Sequence, residues 1–215
     1  MNNKFNLLEL FKGTGSVGKV AKDNFNIISL DYDNKFTPDI NIDILNWDYK
    51  KHYKDTNFLP NVIWASPPCN TFSPLAYALK ERNITNANPI SERAQQGTNI
   101  LYKTLEIIQF YKKKNPNLLY IIENPLGMMR RDRKMKKIPF MTLTYYCFYQ
   151  DNRYKPTNFW SNFELKLKTG KPKECFKNGR KLVRVARDIP LRDRYIIPHL
   201  LVEDIINQTL LKLQI

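Results

Sequence analysis

Short apolar runs alternate along the chain with longer segments of helical periodicity, the pattern of an open α/β sheet. Asn6–Phe11 predicts a first strand, followed at once by Gly13, Thr14, Gly15 and Ser16. Val17–Phe25 predicts a helix, and Asn26–Leu30 a second strand ending at Asp31 and Asp33. Ile40–Ile44 predicts a short third strand and Val62–Ala65 a fourth, stopped by Pro67 and Pro68. Ser91–Lys113 is the longest helix expected. Ile100, Leu101, Leu105 and Ile108 recur near helical spacing, Lys112–Lys114 suit its C-terminal end, and Pro116 lies just beyond. Leu118–Ile122 predicts a strongly apolar fifth strand running into Glu123. Further on, Thr142–Tyr149 alternates bulky aromatic and β-branched residues and predicts a strand near a hairpin. Thr169–Lys181, rich in Lys, Pro and Gly, reads as loop, and Leu200–Leu213 as a closing amphipathic helix.

Ligands of open α/β sheets bind outside the carboxyl ends of the strands. Phe11–Ser16, Asp31–Asp33, Asp43, Pro67–Cys69 and Glu123 all follow expected strands, so they converge on one edge. Glycines at 13 and 15 let the backbone approach a ligand, although an ordinary strand–helix turn needs them equally. Asp31 is placed to accept hydrogen bonds from a ribose, or to close a turn. Cys69, stiffened by two prolines and flanked by Asn70, Thr71 and Ser73, suits a nucleophile better than a core thiol. Glu123, pushed from an apolar strand into a cleft, has its charged form disfavoured and becomes a proton donor near neutrality. A turn or capping carboxylate is the plainer alternative.

Composition sharpens this picture. The chain has 215 residues, enough for one domain with a sizeable core. No apolar run approaches the roughly 20 residues of a membrane helix, and the N-terminus lacks a signal-peptide core. The expected setting is therefore cytoplasmic, including the inside of a host cell. Cys69, Cys147 and Cys175 have no paired spacing, so neither a disulfide scaffold nor a metal site is expected. Cys147 reads as core and Cys175 as incidental. With 35 Lys+Arg against 20 Asp+Glu the net charge is +15, which favours a polyanionic partner. An AT-rich coding sequence would enrich Lys, Asn and Ile by itself, so placement counts for more than the total. One basic stretch holds Arg130, Arg131, Arg133, Lys134, Lys136 and Lys137, and a second includes Lys171, Lys173, Lys177, Arg180 and Lys181. Each is either a solvated surface or a phosphate-binding surface.

The ordered pieces Glu9-Leu-Phe-Lys-Gly-Thr-Gly-Ser16, Leu30-Asp-Tyr-Asp33, Asp43-Ile44, Ser66-Pro-Pro-Cys-Asn-Thr-Phe-Ser73 and Ile122-Glu-Asn-Pro125 resemble the cytosine-C5 methyltransferase family. The block Arg153–Asn162 is similar to its compact phage-type members. The resemblance implies a Rossmann-like, class I S-adenosylmethionine-dependent methyltransferase sheet with helices on both faces. It further implies a catalytic core over residues 1–162, a very small basic recognition segment over 163–189 and a C-terminal helix over 190–215. By the same resemblance, Phe11, Gly13, Thr14, Gly15, Asp31, Tyr32, Asp43, Ile44 and Pro67 would hold S-adenosylmethionine and release S-adenosylhomocysteine. Cys69 would add to carbon 6 of a flipped cytosine, Glu123 would engage its ring nitrogen and amine, and Arg153 and Lys155 would hold the base or orient the catalytic groups. Ser73 and the basic residues Arg130, Arg131, Arg133, Lys171, Lys173, Lys177, Arg180 and Lys181 would face nucleic acid, most simply double-stranded DNA.

Three departures stand out. Pro125 replaces the Val common after Glu-Asn, Lys155 stands where the family's late motif often has Arg, and Ile197-Pro198 occupies the place of the usual Gly-Asn. The short recognition span leaves room for an accessory protein. Rival readings are the same chemistry on transfer RNA, a catalytically silent nucleic-acid-binding protein of this fold, and a small-molecule methyltransferase.

Overall fold

A computed structural model describes residues 4–170, 174, 183, 189–190 and 192–214. Seven strands form one sheet: β1 (Phe5–Leu10), β2 (Phe25–Asp31), β3 (Ile40–Asn41), β4 (Val62–Ala65), β5 (Leu119–Pro125), β6 (Phe140–Tyr145) and β7 (Pro156–Ser161). Their order is β3-β2-β1-β4-β5-β7-β6. The first five are parallel, and β7 runs antiparallel between β5 and β6. The helices are α1 (Ser16–Ala21), α2 (Tyr49–Thr56), α3 (Pro74–Ala78), α4 (Glu92–Lys114) and α5 (His199–Leu213).

Parallel strands must carry apolar residues on both faces, because crossover helices cover both. Leu7, Val62, Trp64, Ile121 and Phe159 pack beneath α1 and α5, against Val17, Ala21, Leu201, Val202 and Ile205. Their neighbours Leu8, Leu10, Ile63, Ala65 and Ile122 turn to the opposite face, against Tyr49, Leu101, Ile107 and Tyr111 of α2 and α4. Helix α4 begins where Ser91 caps it, the hydroxyl accepting from the Ala94 N–H at 3.1 Å.

Several expected boundaries shift for identifiable reasons. Glu123 lies inside β5 rather than past its end, because β7 pairs with it as far as Pro125 and sets Glu123 opposite Phe159. The aromatic run 142–149 is a strand only to Tyr145; Tyr146–Tyr149 forms a 3₁₀ turn that frees the chain to reverse into β7. Phe163, Leu165 and Leu167 continue the core beneath α5, so packed structure extends past residue 162. Cys147, expected as a plain core cysteine, is buried and disulfide-bonded. That corrects the expectation of a chain without disulfides. No helix among the described residues is long and apolar enough to cross a membrane.

Two tight features hold the ligand edge. Gly127 is needed for close approach: a Cβ there would lie 2.2 Å from the Phe72 carbonyl oxygen, which accepts the Met128 N–H at 2.7 Å. Under the glycine turn, Glu9 is 2% exposed, and burial raises its carboxyl pKa to about 7 against the pull of Lys12 and the Val17 and Gly18 amides.

Gly127→Ala should push the segment after β5 off the Phe72 loop, costing on the order of 1–3 kcal/mol of stability; urea unfolding measures this. The Glu9 effect has a definite sign. A carboxyl whose folded pKa is raised is favoured in its neutral form, so its stabilisation is complete below the ordinary value of 4.5 and is lost as pH climbs through about 7. Wild-type protein should lose on the order of 2–3 kcal/mol between about pH 4.5 and 8 relative to Glu9→Gln, which cannot ionise. Thermal melts of the two proteins across that window provide the check.

Candidate active site

The turn after β1 is wound by three residues with positive φ: Phe11 (63°), Gly13 (49°) and Gly15 (69°). Asp31, at the end of β2 and 6% exposed, holds this turn in place. One carboxylate oxygen accepts the Gly13 N–H at 2.8 Å, and the other accepts the Asp33 N–H at 2.9 Å. Tyr32 beside it is 73% exposed, an aromatic face open to solvent. Asp43 accepts the Leu45 N–H at 2.9 Å, while Ile44 is packed into the core below. Thr14 shares a hydrogen bond with Ser16, whose hydroxyl also accepts the Ile197 N–H at 3.0 Å. The turn is therefore tied to the chain entering α5.

Beyond β4, Pro67 is buried and its carbonyl accepts from Asn124 Nδ2 at 2.7 Å, tying the proline loop to β5. Cys69 follows as a partly exposed free thiol whose carbonyl receives the Phe72 and Ser73 N–H groups. Ser73 in turn accepts the Ala76 N–H and starts α3. Arg82 fixes the loop from behind. It is 2% exposed, lies 3.6 Å over the Phe72 ring and donates to the Thr71 and Ala94 carbonyls at 2.8 and 2.7 Å.

Four ionisable groups gather at this edge. Burial pushes the Cys69 thiol pKa up; Lys155 opposes that shift and Glu123 adds to it. Burial also raises Glu123, against hydrogen bonds from Ser66 and Tyr146 and the charge of Lys155. The Tyr146 hydroxyl stands 3.5 Å from Glu123 Oε1, and its own pKa is driven well up by burial and by that carboxylate. Lys155 is shifted down by burial despite Glu123 and Cys69. Its ammonium donates to the Arg194 carbonyl at 2.8 Å and lies 4.8 Å from the Tyr146 ring.

Arg153 takes a different place from its neighbour. Its guanidinium is engaged by the Asp151 carboxylate and donates to the Asp193 and Ile196 carbonyls, both at 2.8 Å. It is 6% exposed and lies 5.1 Å from the Tyr146 ring. It therefore organises the C-terminal segment. That segment delivers Tyr195, half exposed and close enough to both Cys69 and Tyr32 for their charges to raise its pKa on top of burial.

The expected nucleic-acid face is only partly visible. Arg130 and Arg133 are exposed past β5, whereas Arg131 spends its guanidinium on the Ile84 carbonyl. Lys171, Lys173, Lys177, Arg180 and Lys181 lie outside the described residues. A cavity of about 540 Å³ is lined by the glycine turn (Gly13, Thr14 and Gly15) together with Glu9, Lys12, Lys19, Lys35 and Arg192. Among the described residues no cluster of metal-ligating side chains occurs.

Sequence reasoning did not single out Tyr146, Arg82 or Tyr195. Tyr146 is hidden in an aromatic run, Arg82 stands alone in a polar loop, and Tyr195 reaches the cleft only through the clasp on residues 193–196. No local signal marks any of them.

The donor set suits S-adenosylmethionine: a carboxylate at the end of β2, a turn of positive φ beside it, an exposed aromatic ring, and a thiol beyond. No protein-family profile matches the chain. A Frog virus 3 (isolate Goorha) protein named "Probable DNA (cytosine-5)-methyltransferase" is 33% identical over 167 residues, covering 74% of this chain and 71% of that protein. The crystal structure of the S. pombe Dnmt2 methyltransferase superposes with a TM-score of 0.51 at 12% identity. That match covers 77% of this chain but spans only about half (52%) of the Dnmt2 chain, and it bears on the fold alone. The identity shared with the viral protein over most of both lengths, on a sheet of this order, shows that the chain belongs to the DNA (cytosine-5)-methyltransferase family of S-adenosylmethionine-dependent enzymes.

Proposed function

We propose that the protein methylates carbon 5 of a cytosine flipped out of double-stranded DNA, through a covalent adduct on Cys69. The observation that carries this reading is the grouping of a free thiol, a buried carboxyl and a half-buried amine at one strand edge, each within electrostatic reach of the others.

Carbon 6 of cytosine accepts a nucleophile only when the ring nitrogen is protonated or hydrogen-bonded, so thiol and acid must act together. Glu123, raised by burial, keeps its proton closer to neutrality than an exposed carboxyl and serves as that acid. Addition of the Cys69 thiolate to carbon 6 moves electron density to carbon 5. S-adenosylmethionine, when bound, supplies the electrophilic methyl group. The carbon-5 proton then passes to water, its bonding pair re-forming the carbon 5–carbon 6 double bond as the thiolate leaves, and the ring nitrogen returns its proton to Glu123. Phe11, Gly13, Thr14, Gly15 and Pro67 would hold the methyl donor, with Asp31 on its ribose and Tyr32, Asp43 and Ile44 around its adenine. Arg153 fixes the wall that carries Tyr195.

The base must leave the stack before its face can be attacked, at a cost of a few kcal/mol. Phosphate contacts from Arg130, Arg133, the bases in 171–181 and the Ser73 loop offset that cost. The short recognition span is compatible with an accessory protein completing target choice.

The test is transfer from labelled S-adenosylmethionine to double-stranded DNA, single-stranded DNA or transfer RNA, with nucleosides identified by mass spectrometry. We expect 5-methylcytosine in duplex DNA. Methylation of transfer RNA alone would replace the substrate, and absence of 5-methylcytosine from all three would overturn the reading. Cys69→Ser should reduce transfer at least on the order of 10³-fold, and Glu123→Gln by about 10²–10⁴-fold, with cofactor affinity nearly unchanged. Isothermal titration with S-adenosylhomocysteine separates lost chemistry from lost binding.

A further inference from the structure

Granted the proposed role of Glu123 as the acid that engages the base, we infer that Tyr146 is its positioning residue: the buried phenol holds one carboxyl oxygen and so fixes how the carboxyl meets the cytosine ring.

The hydroxyl of Tyr146 needs a reason to be there. The residue is fully buried in the same apolar cluster as Trp64 and Phe159. A phenylalanine would fill such a place without taking a polar atom out of water, and Phe159, opposite Glu123 on β7, does so. A buried phenol is kept where its oxygen finds partners. The Tyr146 hydroxyl donates to Glu123 Oε1 at 3.5 Å, and Thr157, also fully buried, supplies a hydrogen bond in return. Thr157 stands opposite Pro125, two residues beyond Glu123, so strand alternation brings both side chains to one face of the sheet.

The ring is fixed as firmly as its oxygen. The Tyr146 N–H donates to the Lys155 carbonyl at 3.3 Å, anchoring the 3₁₀ turn to the residue before β7. The Lys155 ammonium and the Arg153 guanidinium lie 4.8 and 5.1 Å from the ring centroid, where a cation is drawn to an aromatic face. A donor locked by packing in this way can hold a reacting group to the tolerance that catalysis needs.

The other groups around Glu123 do not duplicate this role. Arg153 spends its guanidinium on Asp151 and on the Asp193 and Ile196 carbonyls. Lys155 acts on the carboxyl by charge while its nitrogen is bound to the Arg194 carbonyl, and Cys69 is the remaining ionisable neighbour. Ser66 is a second hydroxyl donor, its own oxygen accepting the Trp64 indole N–H at 3.2 Å. The carboxyl is thus pinned from the end of β4 and from the turn after β6, and it keeps lone pairs for the base. Because a donor favours the ionised carboxylate, the Tyr146 bond works against burial, and removing it lets the pKa rise.

The experiment titrates purified protein carrying ¹³C-labelled Glu and Tyr without substrate, so it is independent of whether methyl transfer is seen. The Glu123 Cδ resonance is the one missing from Glu123→Gln. In Tyr146→Phe, which keeps the ring, the Glu123 midpoint should rise by about one pH unit, roughly a tenfold change in its dissociation constant. In the wild-type protein, which needs no variant to fold, the Tyr146 Cζ resonance should inflect at the Glu123 midpoint. In the transfer assay, Tyr146→Phe should lower kcat about tenfold and move the alkaline limb of the pH profile up with the Glu123 midpoint, with KM for DNA within about twofold. A merely structural role would leave that limb in place. An unmoved Glu123 midpoint in Tyr146→Phe, a Tyr146 resonance that does not respond to Glu123, or an unchanged kcat and pH profile would each overturn the inference. Retained methyl transfer in Glu123→Gln would instead defeat the proposed function itself.

Discussion

The site rests on the register of three neighbouring strands. Leu10 of β1 stands opposite Ala65 of β4, and Ala65 opposite Ile122 of β5. The next residues on those chains are Phe11, Ser66 and Glu123, so a glycine turn, a proline loop and a carboxyl emerge at one level. Parallel strands enforce this, since each must return by a crossover and present its carboxyl end on the same side. A slip of one residue in β5 would turn Glu123 to the opposite face of the sheet and end its approach to Cys69.

Register alone does not hold a loop, and the proline loop is fixed from three directions. Asn124 ties Pro67 to β5, Arg82 draws the carbonyl of Thr71 inward, and Met128 takes the Phe72 carbonyl. Each is a buried polar contact, where removing one partner leaves the other unsatisfied at a cost of roughly 1–3 kcal/mol. The close packing this requires is visible at Gly127, where there is no room for a methyl group against the Phe72 carbonyl.

The parallel strands were legible because burial on both faces leaves unbroken apolar runs; Val62–Ala65 falls where the sequence put it. Strand β7 was not, because Pro156, Thr157 and Asn158 open it with polar and turn-forming residues. Its strand conformation comes from pairing with β5 and β6. Helix α2 was missed for a related reason: Lys50, Lys51, Lys54 and Asp55 leave it without an apolar stripe, and it docks through Tyr49 and Tyr53. Cys69 and Glu123 were expected at one edge because they follow apolar strands, and the structure does place them at or near the ends of neighbouring strands. Tyr146 and Tyr195 could not be read, because their places depend on contacts between segments far apart in sequence.

Those distant contacts converge on one short clasp. Arg153 binds the carbonyls of residues 193 and 196, and Lys155 that of 194, so two cations two residues apart hold one stretch of chain. The stretch carries Tyr195, whose phenol feels the Cys69 charge, and continues through Ile197, whose N–H reaches Ser16 in the glycine turn. Arg153 has Asp151 to balance its charge, whereas the charge of Lys155 is favoured chiefly by Glu123 and opposed by burial. The two residues therefore differ in chemistry: a permanently charged fork suits a fixed clasp, whereas the charge of an amine answers to the groups around it. The segment that carries Tyr195 is thus held at one end by the two cations and at the other by the glycine turn, so a change at the clasp is felt in the turn as well.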